Sequence, residues 1–451
     1  MHTENTQAFE HFIPISRRAL REACVTSFQM PDLHHFAALL EAYIHHQHHE
    51  QLESLKFLFT PWDPDCDTVQ LNSTTSGNPT TQERLSQEDL LVEQVKKVLA
   101  QANYKALSQQ QLERALAEDQ LLSLDMSIDF NDFARCLVYW RGEAQEDAPE
   151  PTGVMAWLKA FWRKLRFAKP VAPAQVKVFK RMVLLLRFQD DAYFEAQGRD
   201  VEKLSFTPGK MYVYLYKSIP QRDVEVLFPN VNIRMTWRDR LFFIVPAMGA
   251  AIPMMIKALP QLLLLVGVIF FFFGGPQSAQ RLGVGGEQVQ QFLPVLLAVL
   301  SLGVMFGGFA FKQYLNYKNK RLKFLKDVSD TLFFKNLVCN AGVFHSLIDA
   351  AEEEICKEAL LALCFLWQHP EGLRAEILDQ KIEAWLAELG VTVDFHVEKA
   401  LHVLGQIRYD EAALVFQKKE HWHATPLPEA CRLLDGIWDN LYPYANSVLE
   451  S

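Results

Sequence analysis

Residues 241–273, LFFIVPAMGAAIPMMIKALPQLLLLVGVIFFFF, limit what this chain can fold into more than any other stretch. They hold a single charge, Lys257, and three prolines, Pro246, Pro253 and Pro260, spaced seven residues apart. As one straight helix the block would run roughly 50 Å, against a hydrocarbon core of about 30 Å. It is too long for one upright span and too short for two comfortable ones. A second apolar block, FLPVLLAVLSLGVMFGGFAF at 292–311, is uncharged and long enough to cross.

Flanking charge separates the two ways of placing the first block. Arg234, Arg238 and Arg240 precede it, and Lys312, Lys318, Lys320, Arg321, Lys323 and Lys326 follow the second block. The loop between carries only Arg281 and Glu287. The excess of basic residues on cytoplasmic flanks wants both basic runs on one side. Three crossings would split them; a hairpin keeps them together. The sequence therefore predicts a bent elbow at 241–253 and two spans at about 254–273 and 292–311. Lys257 then lies near the inner interface, where its stem snorkels; the functional alternative is a charge in an ion path. Gly307 and Gly308 would permit close helix contact within the hairpin or across a homo-oligomer.

The remaining bulk properties set bounds. A net charge of −9 argues against a nucleic-acid binder. Seven scattered cysteines without a CxxC pair fit reduced thiols rather than a disulfide framework or zinc site. MHTENTQAFEHFIP has neither an apolar core nor the Arg-rich, acid-poor composition of a transit peptide. Insertion would then depend on the internal blocks.

Along the chain, 16–140 reads as helical. In DLHHFAALLEAYIHHQHHEQLESLKFLF, apolar residues recur at three- and four-residue steps: Phe36, Leu39, Leu40, Tyr43, then Leu52, Leu55 and Phe59. Residues 1–141 are expected to form a helical cytoplasmic domain. The linker 142–175 follows, with VMAWLKAFWRKLRF as an amphipathic basic helix. Trp157, Phe161, Trp162 and Lys164 suit a membrane interface, including one with anionic head groups; packing on a neighbouring domain is the alternative. Strand-like VKVFKRMVLLLRF and KMYVYLYKSI place a small α/β unit at 176–240. After the hairpin, 241–311, come a basic juxtamembrane region at 312–350 and a C-terminal domain at 351–451. The latter's order of three helices and two short strands resembles a winged helix, but its third helix has no basic cluster for DNA.

Chemistry-bearing motifs are sparse. His45 and His49 stand one helical turn apart and could share a metal, yet HHQHHE lacks the glutamate inside a metalloprotease H-E-x-x-H. DPDCDT at 63–68 starts like a calcium loop, but Thr68 and Thr74 occupy the positions of the required Gly and Glu. No Walker A, G-x-S-x-G or kinase set occurs. Glu353 and Lys357 form an ordinary i,i+4 pair. No catalytic residue and no cofactor is expected.

YLYKSIPQRDVEVLFPNVNIRMTWRDRL (214–241) and YKNKRLKFLKDVSDTLFFKNLVCNAGVFHSLIDAAEEEICKEALLAL (317–363) resemble the transmembrane protein 143 family. FIP (12–14), LKFLFTPWDPD (55–65) and Arg141–Gly142 add to the likeness, with Pro220, Glu225, Pro229, Asn336, Lys357 and Glu358 as its motif positions. The resemblance implies membrane proteins with paired transmembrane segments and no established catalytic residues. Its animal member is associated with mitochondria; the missing transit peptide favours a bacterial cytoplasmic membrane here.

Together these readings predict an α-rich membrane protein: helical N-terminal domain, small α/β unit, two-helix transmembrane hairpin and winged-helix-like C-terminal module. The expected role is a non-enzymatic, multi-pass scaffold or regulator of the inner membrane, both termini cytoplasmic, meeting the lipid bilayer and an unidentified protein partner. A pore or transporter subunit and a metal-dependent membrane-bound enzyme are the alternatives.

Overall fold

In the computed structural model of the chain, residues 11–30, 32–66, 81–107, 125–147, 175–230, 232–234 and 334–441 are described, with isolated positions between 307 and 326. They divide into two units. The smaller comprises Gln120–Ile128 and Glu225–Phe334; within it β2 (Asp125–Ser127) pairs antiparallel with β6 (Asn232–Arg234). The larger comprises Met1–Asp119, Asp129–Val224 and Lys335–Ser451.

Helix α1 (Arg17–Phe28) begins at Ser16, whose Oγ accepts from the Ala19 amide, and ends where Gln29 turns left-handed at φ 53°. Side-chain capping and a left-handed C-terminal residue satisfy groups the helix leaves open. In α2 (Leu33–Phe59) one stripe is buried: Phe36, Leu40, Ile44, His48, Leu52, Leu55 and Phe59. Steps of four and three keep these on a single face of a 3.6-residue helix. Helix α3 is Thr81–Gln101 and the short α4 is Asp191–Ala196.

Five strands form one antiparallel sheet in the order β1 (Lys105–Ala106), β3 (Phe133–Asp147), β4 (Gln175–Phe188), β5 (Met211–Pro220), β7 (Asn336–Cys339). Tyr139 opposes Val183, which opposes Leu215. Val183, Leu185, Met211, Val213 and Leu215 pack with Leu52, Leu55, Phe59, Val95 and Phe344 in one apolar cluster, so α2, α3 and the next helix cover this sheet.

That helix, α5 (Ala341–Gln368), is the centre of the unit. From Glu354 to Leu366 every side chain is buried. Around it lie α6 (Ala375–Glu388), α7 (Val397–Gln406), the hairpins β8 (Arg408–Tyr409) with β9 (Ala412–Ala413) and β10 (Val415–Lys418) with β11 (His421–Ala424), and α8 (Leu427–Asp439). A second apolar cluster joins Leu20, Phe36 and Leu40 from the first two helices to Leu361, Leu378, Leu401 and Leu434 from the last four.

Several expectations need correction. Among the described residues no helix is long and apolar enough to cross a membrane. The elbow, both spans and Lys257 fall outside the described residues, apart from Gly307, Gly308 and Phe311, which are exposed positions. The expected membrane protein, its multi-pass inner-membrane or mitochondrial location, and its anchored-scaffold, pore and membrane-enzyme roles are therefore not supported. The expected small α/β unit is instead part of the antiparallel sheet, whose strand β3 comes from residues read as helix and linker. Val138, Tyr139 and Trp140 are strand formers that a long helical window averaged away.

Candidate functional site

The segment EEEICKE, 352–358, carries four acids and one base on the central helix, and three of those acids plus the base are buried. Each finds partners far away in sequence. Glu352 accepts from Arg17 Nη1 and from His45 Nδ1, both at 2.8 Å. Burial works to raise its carboxyl, but the bonds from His45 and Arg17 outweigh this and hold it below the usual range. Glu354 Oε2 accepts from the Ile13 amide at 3.1 Å, while Lys357 Nζ donates to the Ile13 carbonyl and to Glu354 Oε1, each at 2.8 Å. One buried ion pair thus grips both backbone polar groups of a single residue. Glu358 Oε1 accepts from Asn103 Nδ2 at 2.8 Å and from Lys399 Nζ at 3.1 Å. Its Oε2 is buried with no hydrogen-bond partner among the described residues, and burial pushes its carboxyl up against the pull of Lys399. This lattice is structural: it fastens residues 13–17, Asn103 and α7 to α5.

Beside it, between α2, α3, α5 and α7, lies a cavity of about 490 Å³. Its floor is apolar, from Ile44, Ile355 and Val403. Its walls carry carboxamides, Gln47, Gln51, Gln94, Gln101 and Gln406, together with His48, Ser54, Lys97, His402 and Glu50. Ser54 Oγ donates to Gln94 Oε1 at 3.2 Å, and Gln406 Nε2 donates to His402 Nε2 at 3.0 Å. Lys399 Nζ donates to the Gln101 carbonyl at 2.6 Å, fixing the end of α3.

His48 is the unusual member of this wall. It takes a core position in the α2 stripe and is only 5% exposed. Its Nδ1 stands 2.8 Å from the Ile44 carbonyl. A carbonyl only accepts, so Nδ1 carries the proton and Nε2 of the neutral ring is a bare lone pair. Burial holds the imidazole below its ordinary value, opposed in part by the bond to Ile44, which keeps the ring neutral. Both His48 Nε2 and Gln101 Oε1 are buried and lack a hydrogen-bond partner among the described residues. Both residues line the cavity, His48 from α2 and Gln101 from α3.

His45 is 67% exposed at its side chain and spends Nδ1 on Glu352; His49 is exposed. Neither belongs to the three-ligand group found among the described residues. Trp157, Phe161, Trp162 and Lys164 lie outside the described residues. Pro220 ends β5, Glu225 is buried and Pro229 half-buried in the smaller unit, and Lys357 and Glu358 belong to the α5 lattice. Sequence reasoning took His48 as one of the histidines of HHQHHE and singled out only His45 and His49 as a metal pair. The available signal for His48 was its place four residues after Ile44 and four before Leu52.

No solved structure matches the chain. Residues 179–342, which run from β4 to the first turn of α5, match a family described as Protein of unknown function (DUF3754).

Proposed function

We propose that this chain binds a small, neutral, polyhydroxylated molecule in the cavity between α2, α3, α5 and α7. The observation that carries the reading is the carboxamide-rich lining of the cavity, which includes His48 and Gln101, whose buried Nε2 and Oε1 lack a partner among the described residues. An unpaired buried polar atom costs roughly 1–3 kcal/mol, which a ligand hydroxyl recovers by donating once a small side-chain rotation turns the atom to the cavity. The surrounding carboxamides both donate and accept, as a sugar or alditol requires. Lys97 and Glu50 oppose one another in charge, so neither an anion nor a cation is favoured. The volume suits a ligand of one or two sugar rings, since small-molecule sites run about 300–1,000 Å³.

The finer kinship, with the transmembrane protein 143 family, belongs to this proposal too. It is supported by 214–241 and 317–363, which overlap the matched window, and it assigns no residue to the cavity.

Calorimetric titration of the full chain with monosaccharides, disaccharides and alditols tests the reading. At least one is expected to bind at one site and to raise the unfolding free energy by about 2.7 kcal/mol at a hundredfold excess over Kd. His48→Leu continues the apolar stripe of α2, so it should abolish binding while leaving the ligand-free protein as stable or more stable. Ordered water filling the cavity predicts no binder in the panel, and that result sinks the proposal. So does binding that survives both His48→Leu and Gln101→Leu.

A further inference from the structure

Away from the cavity, three side chains from opposite ends of the described chain converge. His11 Nδ1 lies 3.1 Å from Asp394 Oδ2, and with His396 each residue offers a ligand atom within 4.8 Å of the others. The two imidazoles face one another, centroids 5.6 Å apart and planes 28° apart. We propose that His11, Asp394 and His396 form a binding site for a divalent transition-metal ion of the zinc class, with at least one coordination position left for water or an external ligand.

Chain geometry explains why these groups meet. Val393, Phe395 and Val397 are buried, so the extended run between α6 and α7 turns Asp394 and His396 to the opposite side together. That run is pinned by α6: the Phe395 amide donates to Glu383 Oε1 and the Val397 amide to Asp379 Oδ1, each at 3.0 Å. His11 is two residues from Ile13, whose backbone the Glu354–Lys357 pair grips. Both halves of the site are thus held before any ion arrives, which is what tight binding needs.

The local chemistry also fits an ion. His11 Nδ1 is buried and makes no hydrogen bond among the described residues, although a carboxylate oxygen is 3.1 Å away; the approach is close but off-line. Two ligands on one ion at about 2.0–2.2 Å stand roughly 3.0–3.5 Å apart at octahedral or tetrahedral angles. His11 and Asp394 already have that spacing, and His396, exposed, closes by side-chain rotation. A donor set of two imidazoles and one carboxylate suits zinc, iron, cobalt or nickel better than calcium or magnesium. Lys105 is a like charge near His11; Asp394 and the adjacent Asp379 offset it.

The test is titration of the tag-free, chelator-stripped full chain with Co²⁺, followed by visible ligand-field absorption and by metal content after gel filtration. Wild type should take up one equivalent. His396→Ala or Asp394→Asn, with folding checked by circular dichroism, should weaken uptake by more than about tenfold. A His45→Ala/His49→Ala variant should bind as wild type. The proposal stands if at least one of the two folded site variants loses affinity and the control does not. Absent uptake in the wild type, uptake unchanged in both site variants, or loss in the control overturns it.

Discussion

At the scale of the residue, burial decides what each ionisable group does, and Glu358 and His48 show it in opposite directions. Burial raises the Glu358 carboxyl above its ordinary 4.5, against the pull of Lys399 and Asn103. An acid that holds its proton more tightly when folded stabilises the fold below its unfolded value. That stability is lost as pH rises through the folded value, at up to about 1.4 kcal/mol per pH unit. Glu358→Gln keeps an oxygen for Asn103 and Lys399 while removing the titration. Urea unfolding of the wild type should therefore lose stability relative to this variant as pH climbs from 4.5 towards neutrality. Parallel pH profiles would show that the unpartnered oxygen is not a buried charge. His48, neutral and lowered by burial, runs the other way: its contribution is complete above 6.5 and declines as pH falls below that value.

At the scale of the element, α5 resolves two demands at once: it is apolar enough to be enclosed and charged enough to be addressed. Lys357 is 3% exposed and its closest acidic partner is Glu354, equally buried, rather than the half-exposed Glu353. Lys357→Met leaves Glu354 as an uncompensated buried charge, so chemical denaturation should record a loss of about 3–5 kcal/mol. A loss under about 1 kcal/mol, as for a surface pair, would contradict the lattice. Much of α2 was legible in sequence, because Phe36, Leu40, Leu52, Leu55 and Phe59 keep helical spacing and no distant partner is needed to see it. The role of Lys357 was not legible. Its acceptor is the carbonyl of Ile13, and from EEEICKE alone the i,i+4 spacing shows only a solvated pair. Strand β3 was hidden for the same reason, since its partners are β1 and β4, 28 or more positions away along the chain. His11 escaped notice because Asp394 and His396 enter from the far end of the sequence.

At the scale of the whole molecule, helices from both ends of the larger unit share one core and should fail together. Leu40 in α2 and Leu401 in α7 are each 1% exposed in the same apolar cluster. Leu40→Ala and Leu401→Ala are each expected to cost about 2–5 kcal/mol and to shift a single unfolding transition. Two resolved transitions, one moved by each substitution, would refute a common core. The grip on Ile13 has a further consequence, in time rather than energy. A ribosome delivers residues 13–59 long before α5, and 341 positions separate the Ile13 amide from Glu354. Until α5 emerges, Leu52, Leu55 and Phe59 close against α3 and the sheet, but Phe36, Leu40 and Ile44 have only α1 beside them, and pairing over such distances is slow. The first half of α2 therefore keeps an open apolar face until α5 is made. The grip on Ile13 forms only once α5 has been made.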